Sequence, residues 1–129
     1  MKTENTGNGT LETWTADEVS SAFERDEIIL VDVRTPQEYM LEHIPGSLLL
    51  PMAEFKPAKL PAGADKPVIL FCGSSKRSGK LAGSLLENGH ETARHLEDGF
   101  AGWKKAEKPY ATIDLPTGKP KTENADKKN

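Results

Sequence analysis

Six consecutive residues, Ile28-Ile29-Leu30-Val31-Asp32-Val33, carry apolar side chains at every position but one, and four of the six are β-branched. A strand with one face in water alternates apolar and polar residues, whereas a strand covered on both faces does not. The run therefore predicts a central parallel strand with helices packed on each side. Val68-Ile69-Leu70-Phe71 repeats that character, and Glu91 to Leu96 and Ser47 to Leu50 read as further strands. Helical signals lie between them. Thr15 and Glu18 form a capping box ahead of an apolar stripe of Val19, Ala22 and Phe23. Thr35-Pro36-Gln37-Glu38 supplies a cap, a first-turn proline and an acid at the third helical position. Leu81, Ala82, Leu85 and Leu86 recur at helical spacing before a stop at Asn88-Gly89, and Gly99 to Lys105 reads as a short helix burying Phe100 and Trp103. Strands alternating with helices predict one α/β domain with a mainly parallel central sheet flanked by helices on both sides.

The 129 residues suit one such domain, and neither an internal repeat nor a second domain is visible. Residues 1–12 are polar and rich in Gly, Thr and Asn, and residues 114–129 are Pro, Gly, Lys, Thr and Asn with four lysines against three acids. Both stretches are expected to be disordered tails around a domain at 13–113. Pro51 to Lys66, with prolines at 51, 57 and 61, is expected to be a long surface connection with a helical turn near Ala53 to Phe55. A net charge of −3 argues against a general nucleic-acid binder. One cysteine excludes an intrachain disulfide and a cysteine-based zinc site, and three scattered histidines do not make a metal site. With no apolar leader in Met1 to Glu12 and no membrane-length apolar run, a cytoplasmic protein without membrane contact is expected.

Chemistry concentrates at Cys72-Gly73-Ser74-Ser75-Lys76-Arg77-Ser78, where an apolar strand gives way to a small, polar, basic turn and then a helix. A loop feeding a helix N-terminus gathers unpaired N–H groups and the positive end of the helix dipole around one point. A sulfur placed there is favoured as thiolate, and the small residues let the backbone curl so that its N–H groups face inward. A buried structural cysteine is the alternative, but it needs no cationic turn after it.

This loop resembles the active-site loop of the rhodanese-like sulfurtransferases, a cysteine and an arginine separated by four residues. Two further stretches are similar to that family: Asp32-Val33-Arg34-Thr35-Pro36-Gln37-Glu38-Tyr39 followed by His43-Ile44-Pro45-Gly46-Ser47, and Gly99-Phe100-Ala101-Gly102-Trp103. The chain departs from the family at Glu42 and Asp98, where glycine is common. The resemblance implies a single rhodanese-like domain that moves sulfane sulfur from thiosulfate or a related anion to cyanide or a thiol through a Cys72 persulfide. The loop Gly73, Ser74, Ser75, Lys76, Arg77 and Ser78 would bind donor and persulfide, and neither metal nor organic cofactor is called for. The expected partners are a small anionic donor and a small thiol or protein cysteine as acceptor, with the protein a monomer. Asp32 and Arg34, at the exit of the first central strand, would support the site by fixing loops. His43 invites a reading as general base, but the resemblance implies a structural turn. Two rivals remain at this level: a non-catalytic interaction or sulfur-carrier module of the same fold, and a cysteine phosphatase or arsenate reductase. The second resembles enzymes with five residues between Cys and Arg, where this chain has four.

Overall fold

A computed structural model describes residues 1–60 and 66–124. Its elements in chain order are β1 (Lys2–Asn5), β2 (Thr10–Trp14), α1 (Ala16–Glu24), β3 (Ile29–Asp32), α2 (Pro36–Leu41), β4 (Glu42–His43), β5 (Leu48–Leu49), β6 (Val68–Phe71), α3 (Lys76–Glu87), β7 (Thr92–Leu96), α4 (Gly99–Lys105), β8 (Tyr110–Asp114) and β9 (Lys119–Glu123). The main sheet has the order β1-β2-β7-β6-β3-β5, and β4-β8-β9 form a smaller antiparallel sheet. Every pairing in the main sheet is parallel except β1 with β2.

The two apolar runs behave as their composition requires. Along β3 and β6, Leu30, Ile69 and Phe71 point into one core with Val19 and Ala22 of α1 and Phe100 and Trp103 of α4. Val31, Leu70 and Cys72 point into the other, against Leu81, Ala82, Leu85 and Leu86 of α3. A sheet sandwiched between two apolar layers leaves no face for polar alternation. Both capping boxes are formed: the Thr15 hydroxyl accepts from the Glu18 N–H and the Thr35 hydroxyl from the Glu38 N–H, while each glutamate takes the threonine N–H in return. α4 occupies the predicted residues, and α3 begins at Lys76, inside the stretch from Cys72 to Ser78 in which the turn is expected to give way to helix.

The expected tails need correction. Residues 2–5 and 10–14 lie in β1 and β2, and β2 pairs with β7 from Thr10↔Thr92 to Trp14↔Leu96. Backbone pairing with the open edge of β7 orders this segment, and Leu11 and Trp14 of β2 add contacts with the two cores. Residues 114 and 119–123 likewise belong to the β8–β9 hairpin, which docks on β4. The remainder of the expected C-terminal tail, residues 125–129, lies outside the described residues. In the connection from Pro51, Met52–Glu54 and Pro57–Lys59 form 3₁₀ turns. The proline at 61 lies outside the described residues.

Because β3, β6 and β7 run the same way, their C-terminal ends share one edge of the sheet. That edge, at which helices α2, α3 and α4 all begin, is where open α/β sheets hold their ligands.

Candidate active site

Cys72 follows β6 directly, and its side chain has no exposed surface. The next residues turn tightly around the sulfur. Ser75 takes the left-handed conformation at φ +88° as the N-cap of α3, and its hydroxyl makes no capping bond. That turn aims backbone N–H groups inward: Ser75 N–H donates to Sγ at 3.1 Å and Ser78 N–H at 3.4 Å, with Ser78 Oγ 3.6 Å away. Burial alone would push the thiol up, but donors from the Ser78 backbone and side chain and the Ser74 and Ser75 backbone outweigh it, so the thiol lies below its ordinary range. The thiolate reading is therefore carried by N–H groups first. Of the two expected cations, Lys76 is exposed, while Arg77 is committed to an ion pair.

Arg77 makes a two-pronged contact with Glu38 of α2, Nη1 to Oε1 at 2.8 Å and Nη2 to Oε2 at 3.0 Å. A methyl group built at Gly73 would stand 3.3 Å from Arg77 Nη2 and 3.9 Å from Glu38 Oε2, so this pair lies against the loop. The Arg77 guanidinium, together with the Thr35 N–H and hydroxyl, holds the Glu38 carboxyl at about 2. In turn Arg77 is raised, chiefly by Glu38 and to a lesser degree by the Cys72 sulfur.

From the other side the loop is held by α4. Phe100 N–H donates to the Cys72 carbonyl at 2.8 Å and Ala101 N–H to the Gly73 carbonyl at 3.0 Å. Gly99, at φ +55°, passes so close that a methyl group there would sit 2.3 Å from the Cys72 oxygen. Inward from Ser78, its Oγ lies 3.3 Å from His95 Nδ1, and His95 Nε2 lies 3.3 Å from Thr13 Oγ1.

Asp32 and Arg34 do not touch the sulfur. They form a buried ion pair with Arg34 Nη2 at 2.8 Å from Asp32 Oδ2, and Arg34 also donates to the Glu42 carbonyl and lies over the Phe100 ring. Asp32 accepts the Arg34 N–H as well, which shapes the exit from β3. A recess of about 390 Å³ opens beside them, lined by Val33, Arg34, Pro36, Pro51, Met52 and Arg77. His43 is engaged elsewhere: Nδ1 lies 2.9 Å from the Tyr39 carbonyl and the ring stacks on Tyr39 at 4.2 Å. Among the described residues, no cluster of three or more His, Cys, Asp or Glu fits a metal ion, and no helix is long and apolar enough to cross a membrane.

Glu38, Gly99 and His95 are the site neighbours that sequence reasoning missed as such. Glu38 was legible as a cap residue; it is also the acid placed by the helix after β3, the strand beside β6, and so within reach of an arginine after β6.

Comparison with known proteins gives this geometry a context. The family model described as Rhodanese-like domain matches residues 15–106. An uncharacterized Synechocystis protein, slr1261, is 42% identical over 86 residues, covering 67% of this chain and 48% of its own length, so the match spans about half of that relative. The Pseudoalteromonas translucida thiosulfate sulfurtransferase GlpE is 30% identical over 83 residues, covering 64% of this chain and 79% of its own. Among solved structures, a thiosulfate sulfurtransferase from Pseudomonas aeruginosa superposes with a TM-score of 0.69 at 29% identity, over 79% of this chain and 20% of that one.

Proposed function

The chain belongs to the rhodanese-like domain family, and from that membership we propose that it transfers sulfane sulfur through a persulfide on Cys72. The carrying observation is the sulfur's position inside the turn, with N–H groups of Ser75 and Ser78 donating to it. Two displacements follow. The Cys72 thiolate attacks the outer sulfur of a donor such as thiosulfate. A new S–S bond forms, the donor's S–S bond breaks, and its electron pair leaves with sulfite. The persulfide anion is then attacked at its outer sulfur by cyanide or a thiolate, which carries that sulfur away and returns Cys72 as thiolate. Charge and electrons balance in both steps, so no outside oxidant or reductant enters.

The residues divide the work. Backbone N–H groups of the loop stabilise the negative charge on the inner and outer sulfurs. Arg77 uses two of its donors on Glu38 to hold the loop and presents the rest to the anionic donor. Lys76, exposed at the first turn of α3, draws the anion in. Asp32 and Arg34 brace the neighbouring exit of β3 without contacting substrate. The acceptor is a small thiol or a cysteine of a partner protein. With a single cysteine in the chain, no internal thiol can discharge the persulfide, so the loaded protein waits for it.

Intact mass after incubation with thiosulfate and desalting tests the reading. One added sulfur atom on wild type and none on Cys72→Ser is expected, with the sulfur lost on adding cyanide or thiol. No mass gain with thiosulfate or other sulfane donors would leave an interaction module as the better account.

A further inference from the structure

A line of hydrogen-bonding side chains runs inward from Cys72 through Ser78 and His95 to Thr13, each contact between 3.3 and 3.6 Å. Its inner members are shielded from water, Ser78 with no exposed surface and His95 9% exposed, while Thr13 at the far end is half-buried. The line reaches across two structural layers, because Ser78 is on the first turns of α3 and His95 and Thr13 are register partners on β7 and β2. Helix and strand approach this closely because residue 79 is glycine; a methyl group there would stand 3.3 Å from His95 Cε1. Packing by itself does not call for an imidazole here, since an apolar side chain would avoid burying two ring nitrogens.

We propose that His95 is a positioning residue that stores the Cys72 thiol proton, passed to it through the Ser78 hydroxyl, so that the nucleophile stands as a thiolate–imidazolium pair. The proposal rests on Cys72 being the sulfur-carrying nucleophile. Before transfer, neutral His95 donates its Nε2–H to Thr13 Oγ1 and accepts the Ser78 O–H at Nδ1, while Ser78 Oγ accepts the thiol S–H. In the step itself the S–H bond breaks and its proton bonds to Ser78 Oγ, as the earlier Ser78 proton moves to Nδ1. No proton is gained or lost by the protein. The Ser78 hydroxyl now points at the sulfur and adds a donor to those of the backbone. Without an imidazole, that hydroxyl has its own helix turn to return to, the Ser75 carbonyl 3.3 Å away.

The surroundings set the balance. Burial holds the imidazole below its ordinary range, and Glu4 on β1 pulls it weakly upward. Lys2, opposite Thr13 on β1, is paired to Glu4. β2 offers Thr13, α3 offers Ser78 and Gly79, and the end of β6 offers Cys72. A negative sulfur two hydrogen bonds away is the charge that opposes the burial cost of an imidazolium.

Two titrations that use no sulfur donor test this. The first follows the His95 ring nitrogens by NMR from acid to alkaline pH in wild type and Cys72→Ser. His95 is expected to hold its proton to higher pH in wild type, by a factor of about five or more in proton affinity, and to show a second phase that coincides with the thiolate absorbance. Identical single-phase curves in the two proteins would overturn the proposal. The second titrates the thiol in His95→Asn by ultraviolet absorbance. By reciprocity the Cys72 midpoint should rise by a similar factor of about five, with Ser78→Ala giving the same direction; an unmoved midpoint in a folded His95→Asn would also overturn it. A protein that showed this coupling yet gained no mass from thiosulfate or other sulfane donors would sink the sulfurtransferase reading and leave the proton relay standing.

Discussion

Gly99 is where a single added carbon has the largest predictable consequence. Its φ of +55° already disfavours any other residue, and a methyl group would press within 2.3 Å of the Cys72 carbonyl, the group that anchors the Cys72 loop to α4. Gly99→Ala is expected to lose more than about 3 kcal/mol in urea unfolding and to raise the Cys72 thiol, since the loop must shift. Wild-type stability with an unmoved thiol would show that the clash is relieved elsewhere. Ser75 gives the opposite expectation. Only its N–H serves the sulfur, its hydroxyl caps nothing, and its φ is +88°, so Ser75→Gly should keep the thiol titration while stability stays level or rises by up to about 1 kcal/mol. A thiol midpoint that moved markedly in Ser75→Gly would count against a backbone-only role. At this scale the sequence was informative about the turn around Cys72 and poor about approach distances. Cys72 and its loop were legible because a lone cysteine before a small, cationic turn is unusual. That Gly99 nearly touches the loop depends on where α4 docks, which no local pattern encodes. The two departures from the family also make sense here. Asp98 takes φ +57°, a conformation Asp tolerates better than most residues, and Glu42 is extended at φ −150°, where glycine has no advantage.

Between elements, the Glu38–Arg77 pair fastens α2 to the start of α3 across the mouth of the loop. The pair is about a third exposed, so solvent screening keeps its worth small, roughly 1 kcal/mol or less. Its pH dependence has a definite sign. The folded Glu38 carboxyl is depressed from 4.5 to about 2, so its contribution is complete above 4.5 and fades as pH falls toward 2. Glu38→Gln should therefore be less stable than wild type near neutrality and converge on it toward pH 2, as read by urea unfolding at several pH values. A constant difference across that range would mean that the cap, which glutamine partly retains, matters more than the charge. The starts of helices α1 and α2 could be read to the residue, because Thr15-Glu18 and Thr35-Glu38 are local signals sufficient in themselves. The pairing of Glu38 with Arg77, 39 residues apart, was not, because it depends on β3 lying beside β6.

The whole molecule is larger in its order than its apolar residues suggest. β1 and β9 contain little that must leave water and are ordered by backbone pairing at the sheet edges, while β2 and β8 add the packing of Leu11, Trp14 and Tyr110 on the cores. Deleting residues 1–9 would remove β1 and leave β2 at an open edge, with an expected loss of about 1 kcal/mol and a new tendency to self-associate, visible in urea unfolding and sedimentation. Unchanged behaviour would restore the tail reading that composition favoured. The central sheet itself was legible because β3 and β6 are apolar on both faces; the edges were not, since polar strands look like loops until a partner is known. One consequence reaches into the making of the protein. Thr13 and His95 are 82 residues apart and meet only through the β2–β7 pairing. During synthesis the β1–β2 pair emerges with the inner edge of β2 unpartnered until β7 is made, an arrangement that slows folding and exposes an unpaired edge. In rapid-mixing refolding, thiolate absorbance should therefore arise in the slowest phase; its appearance in a fast phase would show that the Cys72 turn forms before β2 meets β7.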